Sequence, residues 1–169
     1  GVGVTIFTTI PYITSILEQP YSAYGIFMAG FPIGYTIGAI LNRQFLNVKG
    51  IGILFTALFI GGCTYLALGF TPWYTLAVLT EVIAGMVIAI FNIYNITLIQ
   101  QAIPNHLMGK VTSVRLLIMR TMLPLGILFA TLISPYVSIR TLYFVIGSVI
   151  CVTAISGYFY LKQRNVVVT

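Results

Sequence analysis

Six apolar runs, most of them about twenty residues long, follow one another along this chain with only short breaks between them. A run of that length crosses the ~30 Å hydrocarbon layer of a bilayer as an α-helix. A helix also bonds its backbone polar groups internally, as lipid demands. A membrane barrel would instead show strictly alternating segments of about ten residues, and the chain has none. Composition rules out the soluble classes. The residues are 59% hydrophobic and 6% charged, whereas a soluble domain carries about a quarter charged residues. The expectation is an all-α membrane protein, a six-transmembrane-helix bundle in contact with lipid, with residues 1–169 forming a single transmembrane domain.

The spans read as 1–17, 21–42, 51–69, 73–99, 110–133 and 140–161. Between them stand Glu18-Gln19-Pro20, Asn47-Val48-Lys49-Gly50, Thr71-Pro72, Pro104-Asn105 and Ser134-Pro135, which are turn residues in stretches too short for an extra domain. A hydrophobic run is already under way at Gly1, so the chain reads as a piece of something longer. No charged n-region or cleavage site appears, so the first run is not expected to be a signal peptide.

Net charge is +6, and its placement sets orientation. Arg43, Lys49, Lys110, Arg115, Lys162 and Arg164 fall on one side of six alternating spans, while Glu18 and Arg140 fall on the other. The first side, with the C-terminus, is expected to be cytoplasmic in a multi-pass protein of the cell membrane. Arg115 is close enough to that side to snorkel. Tyr21, Tyr24, Trp73, Tyr74, Tyr136 and Tyr143 suit the aromatic belt of the outer interface. The bases are scattered between spans, so no nucleic-acid surface is expected. Cys63 and Cys151 form no Cys-x-x-Cys or Cys/His pattern and read as small buried hydrophobes. His106 is the sole histidine and has no partner at metal-ligand spacing. No metal or cofactor is implied. HExxH, GxSxG and a paired acid are all absent, so an enzyme is not expected.

Glu81 is one of two acidic residues and lies deep in the fourth apolar run. An ionisable group at membrane depth is read as functional by default, facing a bundle interior or a wet path. At about 100° per residue, Tyr74, Glu81, Asn92 and Asn95 lie within about 40° of one line on the fourth helix. Thr5, Thr8, Tyr12 and Ser15 share a face of the first, and Ser113, Arg120, Pro124 and Thr131 a stripe of the fifth. The third and sixth helices are apolar nearly all round. The first, fourth and fifth spans are therefore expected to border a substrate or proton pathway. Its candidate residues are Thr8, Tyr12, Glu81, Asn92, Asn95 and Arg120. The plainer reading has these hydroxyls and amides bonding neighbouring helices. Glu81 and Arg120 fall near the same depth, about 12 and 15 Å from their helix ends. A buried pair is feasible, either as a packing contact or as a proton site tuned by the arginine. Phe27, Met28 and Met122 could offer adaptable apolar contacts, or simply pack.

Phe31-Pro32-Ile33-Gly34 is echoed three helices later by Leu123-Pro124-Leu125-Gly126. The two helices run in opposite directions, which is what two inverted three-helix repeats would leave. Chance recurrence of Pro-x-Gly in membrane helices is the alternative. Gly30, Gly34 and Gly38 form a small-residue ridge that lets a neighbouring helix approach closely.

The segment from Gln100 to Val111, with Pro104, Gly109 and Lys110, is similar to the Q-x-x-(V/I)-P-x-x-x-x-G-(R/K)-V loop of macrolide- and drug-efflux transporters of the major facilitator superfamily. Tyr24-Gly25 through Gly34 and Gly38, and Arg120 through Gly126, resemble its eighth and eleventh helices. Gly38-Ala39-Ile40-Leu41-Asn42-Arg43 loosely matches the superfamily's cytoplasmic loop motif, here with Asn42 in place of its Asp and no Gly two residues after Arg43. The gating ion pairs credited to that motif thus lack their acid. The resemblance covers essentially the whole chain. It implies the C-terminal six-helix half of a twelve-helix transporter, with the N-terminal half of the same transporter as partner. It implies secondary active efflux of drug-like or other small amphipathic solutes by alternating access, coupled to protons. The alternative function is a non-transporting membrane assembly subunit or a truncated scaffold.

Overall fold

The computed structural model describes residues 2–45 and 52–163. Among them the chain is helical, with no strand: α1 (Val2–Pro11), α2 (Ala23–Phe45), α3 (Gly52–Phe70), α4 (Tyr74–Ala102), α5 (Asn105–Ile133) and α6 (Ile139–Gln163). Helices α2 to α6 are long and apolar enough to cross a membrane, as in a multi-pass membrane protein; α1 falls short of that length. Lys49 and Arg164 of the expected cytoplasmic cluster lie outside the described residues, as does the side chain of Arg43.

The helix ends follow from prolines and from one strained residue. α1 contains Pro11 and continues as a π-helical turn over Tyr12–Ile16. Proline removes a backbone donor and crowds the preceding turn, and wider turns relieve such a site. The chain then reverses at Glu18, which adopts φ 51°, and Gln19 N donates to the Ile13 carbonyl at 3.0 Å. That is a helix end closed through a left-handed residue, a place usually held by glycine. Pro104 holds Ile103 extended at φ −115°, ψ 131°, which ends α4. Because two residues suffice for this break, α5 starts at Asn105 rather than at the expected 110, and His106 is helical. α4 and α5 each run for 29 residues, about 44 Å at 1.5 Å per residue. That exceeds a ~30 Å core, so these helices tilt or extend past it.

The packing pairs are α2 with α4, α3 with α6, α3 with α4, and α1 with α5. Glycines make the first pair possible. A Cβ on Gly34 would land on the Val82 carbonyl, one on Gly38 would strike the Met86 carbonyl, and one on Gly85 the Phe31 carbonyl. The Gly30–Gly34–Gly38 ridge expected from the sequence is thus the seat of α4. The main core gathers Tyr12 and Ile13 from the end of the first helix with Phe27, Leu68, Ala77 and Tyr143. Tyr143 is only 1% exposed and so is not an interface aromatic. Tyr143 stands four residues after the first residue of α6, Ile139, about one turn inside the helix, and is edge-on to Tyr12 with ring centroids 5.1 Å apart. Tyr21, Trp73 and Tyr136 are exposed, as an aromatic belt requires.

Most hydroxyls are satisfied within their own helix. Thr9, Thr14, Thr36, Thr56, Thr80, Thr97, Thr121, Thr131 and Thr153 each donate to the carbonyl four residues back. An apolar solvent favours this local closure. It also removes most of the threonines from the expected role of interhelical glue.

Candidate functional site

A cavity of about 470 Å³ lies between α1, α2, α3 and α4. Its apolar walls include Phe27, Met28, Phe31 and Pro32 of α2, Ala57, Leu58 and Gly61 of α3, and Ala84, Val87, Ile88 and Phe91 of α4, with Ile150 of α6 at one edge. Its polar lining is Thr5 and Thr9 of α1, Thr64 and Tyr65 of α3, and Glu81 of α4. The volume and the mostly apolar lining with a few polar groups are those of a small-molecule site. The Thr9 and Thr64 hydroxyls are already committed to the Thr5 and Gly61 carbonyls. The Tyr65 hydroxyl lies against the Thr5 side chain. Pro32 leaves the Met28 carbonyl without its helical donor on the same wall.

Glu81 is the charged group of this lining. Its backbone position follows from α2. Gly30 faces it, and a Cβ there would lie 3.3 Å from the Glu81 Cβ. With no side chain at residue 30, the glutamate enters at the helix crossing and reaches the cavity. Its carboxyl is within electrostatic reach of the hydroxyls of Tyr12, Tyr65 and Tyr143. Desolvation dominates its surroundings, and no cation among the described residues offsets it.

The expected Glu81–Arg120 pair does not form. Arg120 is exposed on α5, and α5 packs against α1 rather than against α4. Equal depth on consecutive helices brings side chains together only when the helices are neighbours, and here they diverge after the Ile103–Pro104 break. α5 contributes nothing to the cavity lining. Its Ser113, Pro124 and Thr131 are exposed, as is most of the helix.

Thr8 and Tyr12, expected along the pathway, are core residues that do not line the cavity; they are 1% and 0% exposed. Thr8 Oγ1 donates to the Val4 carbonyl at 2.9 Å and approaches the Tyr143 hydroxyl at 3.3 Å. Tyr12 donates to the Leu68 carbonyl at 2.7 Å, an acceptor freed by the end of α3. The lining face of α1 is rotated about 60° from theirs and centred on Thr5 and Thr9. Thr5 belonged to the expected stripe, whereas Thr9 did not. Tyr65 lay on a helix read as apolar; the adjacent Thr64-Tyr65 pair was the available signal. Tyr12→Phe should lower stability by about 1 kcal/mol, the net worth of one buried hydrogen bond, and leave solute binding to the cavity unchanged. Thermal unfolding with a binding titration in detergent checks both, and lost binding with an intact fold would return Tyr12 to the pathway.

Asn92 and Asn95 are half-buried further along α4 and do not line the cavity. Gly38 serves the α2–α4 contact. Asn42 is 3% exposed, and among the described residues its Oδ1 has no hydrogen-bond partner. Among the described residues no group of three potential metal ligands occurs. Comparison with protein-family models, with curated proteins and with solved structures finds no match to this chain.

Proposed function

We propose that this chain is the C-terminal half of a secondary active transporter of the major facilitator type, resembling the macrolide- and drug-efflux exporters. In this reading it moves small amphipathic solutes outward by alternating access, in exchange for protons. One observation carries the reading: Glu81, a carboxyl with no counter-ion among the described residues, lines a cavity bordered by α1 and by the membrane-length helices α2, α3 and α4. An intramembrane acid so placed suits reversible protonation. The apolar and aromatic wall suits an amphipathic solute.

The helix pairing supports the repeat. Exchanging the first three helices with the last three turns α2·α4 into α5·α1 and leaves α3·α6 unchanged, so three of the four packed pairs fit the repeat, while α3·α4 has no packed counterpart. The exposed face of α5, with Arg120, is the surface that the N-terminal half would cover. In the same reading, the positive-inside rule puts the basic ends, and with them the C-terminus, on the cytoplasmic side of the cell membrane. The loop motif Gly38, Asn42 and Arg43 would then face the cytoplasm, without the ion pair that an Asp would give it.

The test is proton flux in sealed vesicles holding the complete protein. Addition of an amphipathic drug-like solute should accelerate dissipation of an imposed pH gradient, with solute moving against its own gradient. Vesicles that hold the folded protein and show neither movement would leave the assembly-subunit reading in its place.

A further inference from the structure

α3 and α6 meet along a line of small residues. A Cβ on Gly62 would lie 2.6 Å from the Cys151 Sγ and 3.0 Å from the Cys151 amide nitrogen, and one on Gly147 would lie 2.9 Å from the Gly62 carbonyl oxygen. The two backbones therefore nearly touch where Cys151 enters α3. The Cys151 thiol also donates to the Phe59 carbonyl at 3.7 Å. Phe59, Gly62 and Cys63 stand at i, i+3 and i+4, one patch of the α3 surface. Cys151 thus sits over the single turn of α3 that carries Cys63, and the two thiols are electrostatic neighbours. Cys151 is buried, Cys63 is half-buried, and both are free thiols. They are the two cysteines of the chain.

A disulfide needs Cα atoms within about 7 Å. Helices packed with axes 8–10 Å apart seldom bring opposed positions that close. Gly62 and Gly147 remove the side chains that would hold these two helices apart, and the contact they permit is the one at which both thiols lie.

We propose that Cys63 and Cys151 form a dithiol modification site that closes to an intramolecular disulfide joining α3 to α6. Two S–H bonds break and one S–S bond forms. Two electrons and two protons pass to dioxygen, an apolar oxidant that enters the acyl layer, and hydrogen peroxide leaves. The link joins helices whose backbones are already in contact at this turn.

The protein in its membrane is treated with copper–phenanthroline in air, where the copper shuttles electrons to dioxygen and is regenerated. It is then unfolded, alkylated and mapped by mass spectrometry without reduction. The expected result is a peptide linking residues 63 and 151, a loss of at least about tenfold in alkylation at both positions, and recovery of both with dithiothreitol. Cys63→Ser should keep Cys151 fully alkylatable. Cys63→Ser combined with Gly61→Cys moves the thiol to a position that faces open space and should give no link. Full alkylation of both thiols in the oxidised wild type would overturn the proposal. So would links formed only between molecules, or a Gly61→Cys variant that links as well as the wild type.

Discussion

Gly34→Ala should destabilise the folded helices by about 3 kcal/mol or more, the range of severe overpacking. Gly61→Ala and Gly25→Ala should be neutral or better. The difference lies in what the new methyl group meets. At Gly34 it lands on the Val82 carbonyl, with the Val82 Cα at 2.9 Å, while at Gly25 and Gly61 nothing lies within 4 Å. The obstacle at Gly34 is backbone, so trimming Val82 to alanine cannot relieve it, and α2 and α4 must move apart. Separation would also open the neighbouring contacts of Gly38 and Gly85 with the opposite helix. Between membrane helices, close approach and dispersion replace the hydrophobic effect as the source of association, so little is left to compensate. Gly62→Ala makes a useful contrast. Its nearest obstacle is the Cys151 Sγ at 2.6 Å, so Cys151→Ala should partly rescue it. Reversible unfolding in mixed micelles, followed by circular dichroism, gives the free energies. A Gly34→Ala protein as stable as Gly61→Ala would mean that α2 and α4 do not meet along this ridge.

That ridge was legible in the sequence because spacing alone places Gly30, Gly34 and Gly38 on one helix face, and a groove of that kind needs only a helix to fill it. The spans were legible for a similar reason: hydropathy and proline punctuation are local, and membrane solvent leaves helices as the available structure. Partner choice was not legible. Arg120 was matched to Glu81 by depth, but depth is one coordinate of three, and the break at Ile103–Pro104 sends α5 to α1. The polar face of α1 was placed about 60° from the cavity face. Thr8 and Tyr12 are buried polar groups whose acceptors, Val4 and Leu68, are backbone carbonyls that no side-chain pattern announces. The meeting of Cys63 with Cys151 was hidden for the same reason, since it depends on which helices pair and on how close Gly62 and Gly147 let them come. Glu81 was visible from composition alone, as a charge where lipid tolerates few.

Glu81→Gln should separate the two properties that a buried functional carboxyl sets against each other. Gln keeps the shape and removes the ionisable group. Among the described residues Glu81 has no cation beside it, and it pays the desolvation of its site without an ion pair in return. A group held in that way lowers stability whenever it ionises. The Gln variant should therefore unfold at the same temperature as the wild type or above it. Export should respond in the opposite sense. If proton entry and solute exit are coupled through this carboxyl, losing it should reduce gradient-driven export about 5- to 150-fold, the range spanned by a lost coupling between two sites. Solute binding should persist, because the aromatic and aliphatic wall is untouched. Glu81→Asp, shorter by one methylene, keeps the titration and should keep part of the coupled flux. The measurements are a melting curve in detergent and solute export from vesicles under an imposed pH gradient. Loss of export together with a lower melting temperature would make Glu81 a packing anchor. Wild-type export with unchanged pH dependence would remove it from the mechanism. A stable protein that binds solute and no longer couples it to protons is the result that the cavity and its lone carboxyl lead one to expect.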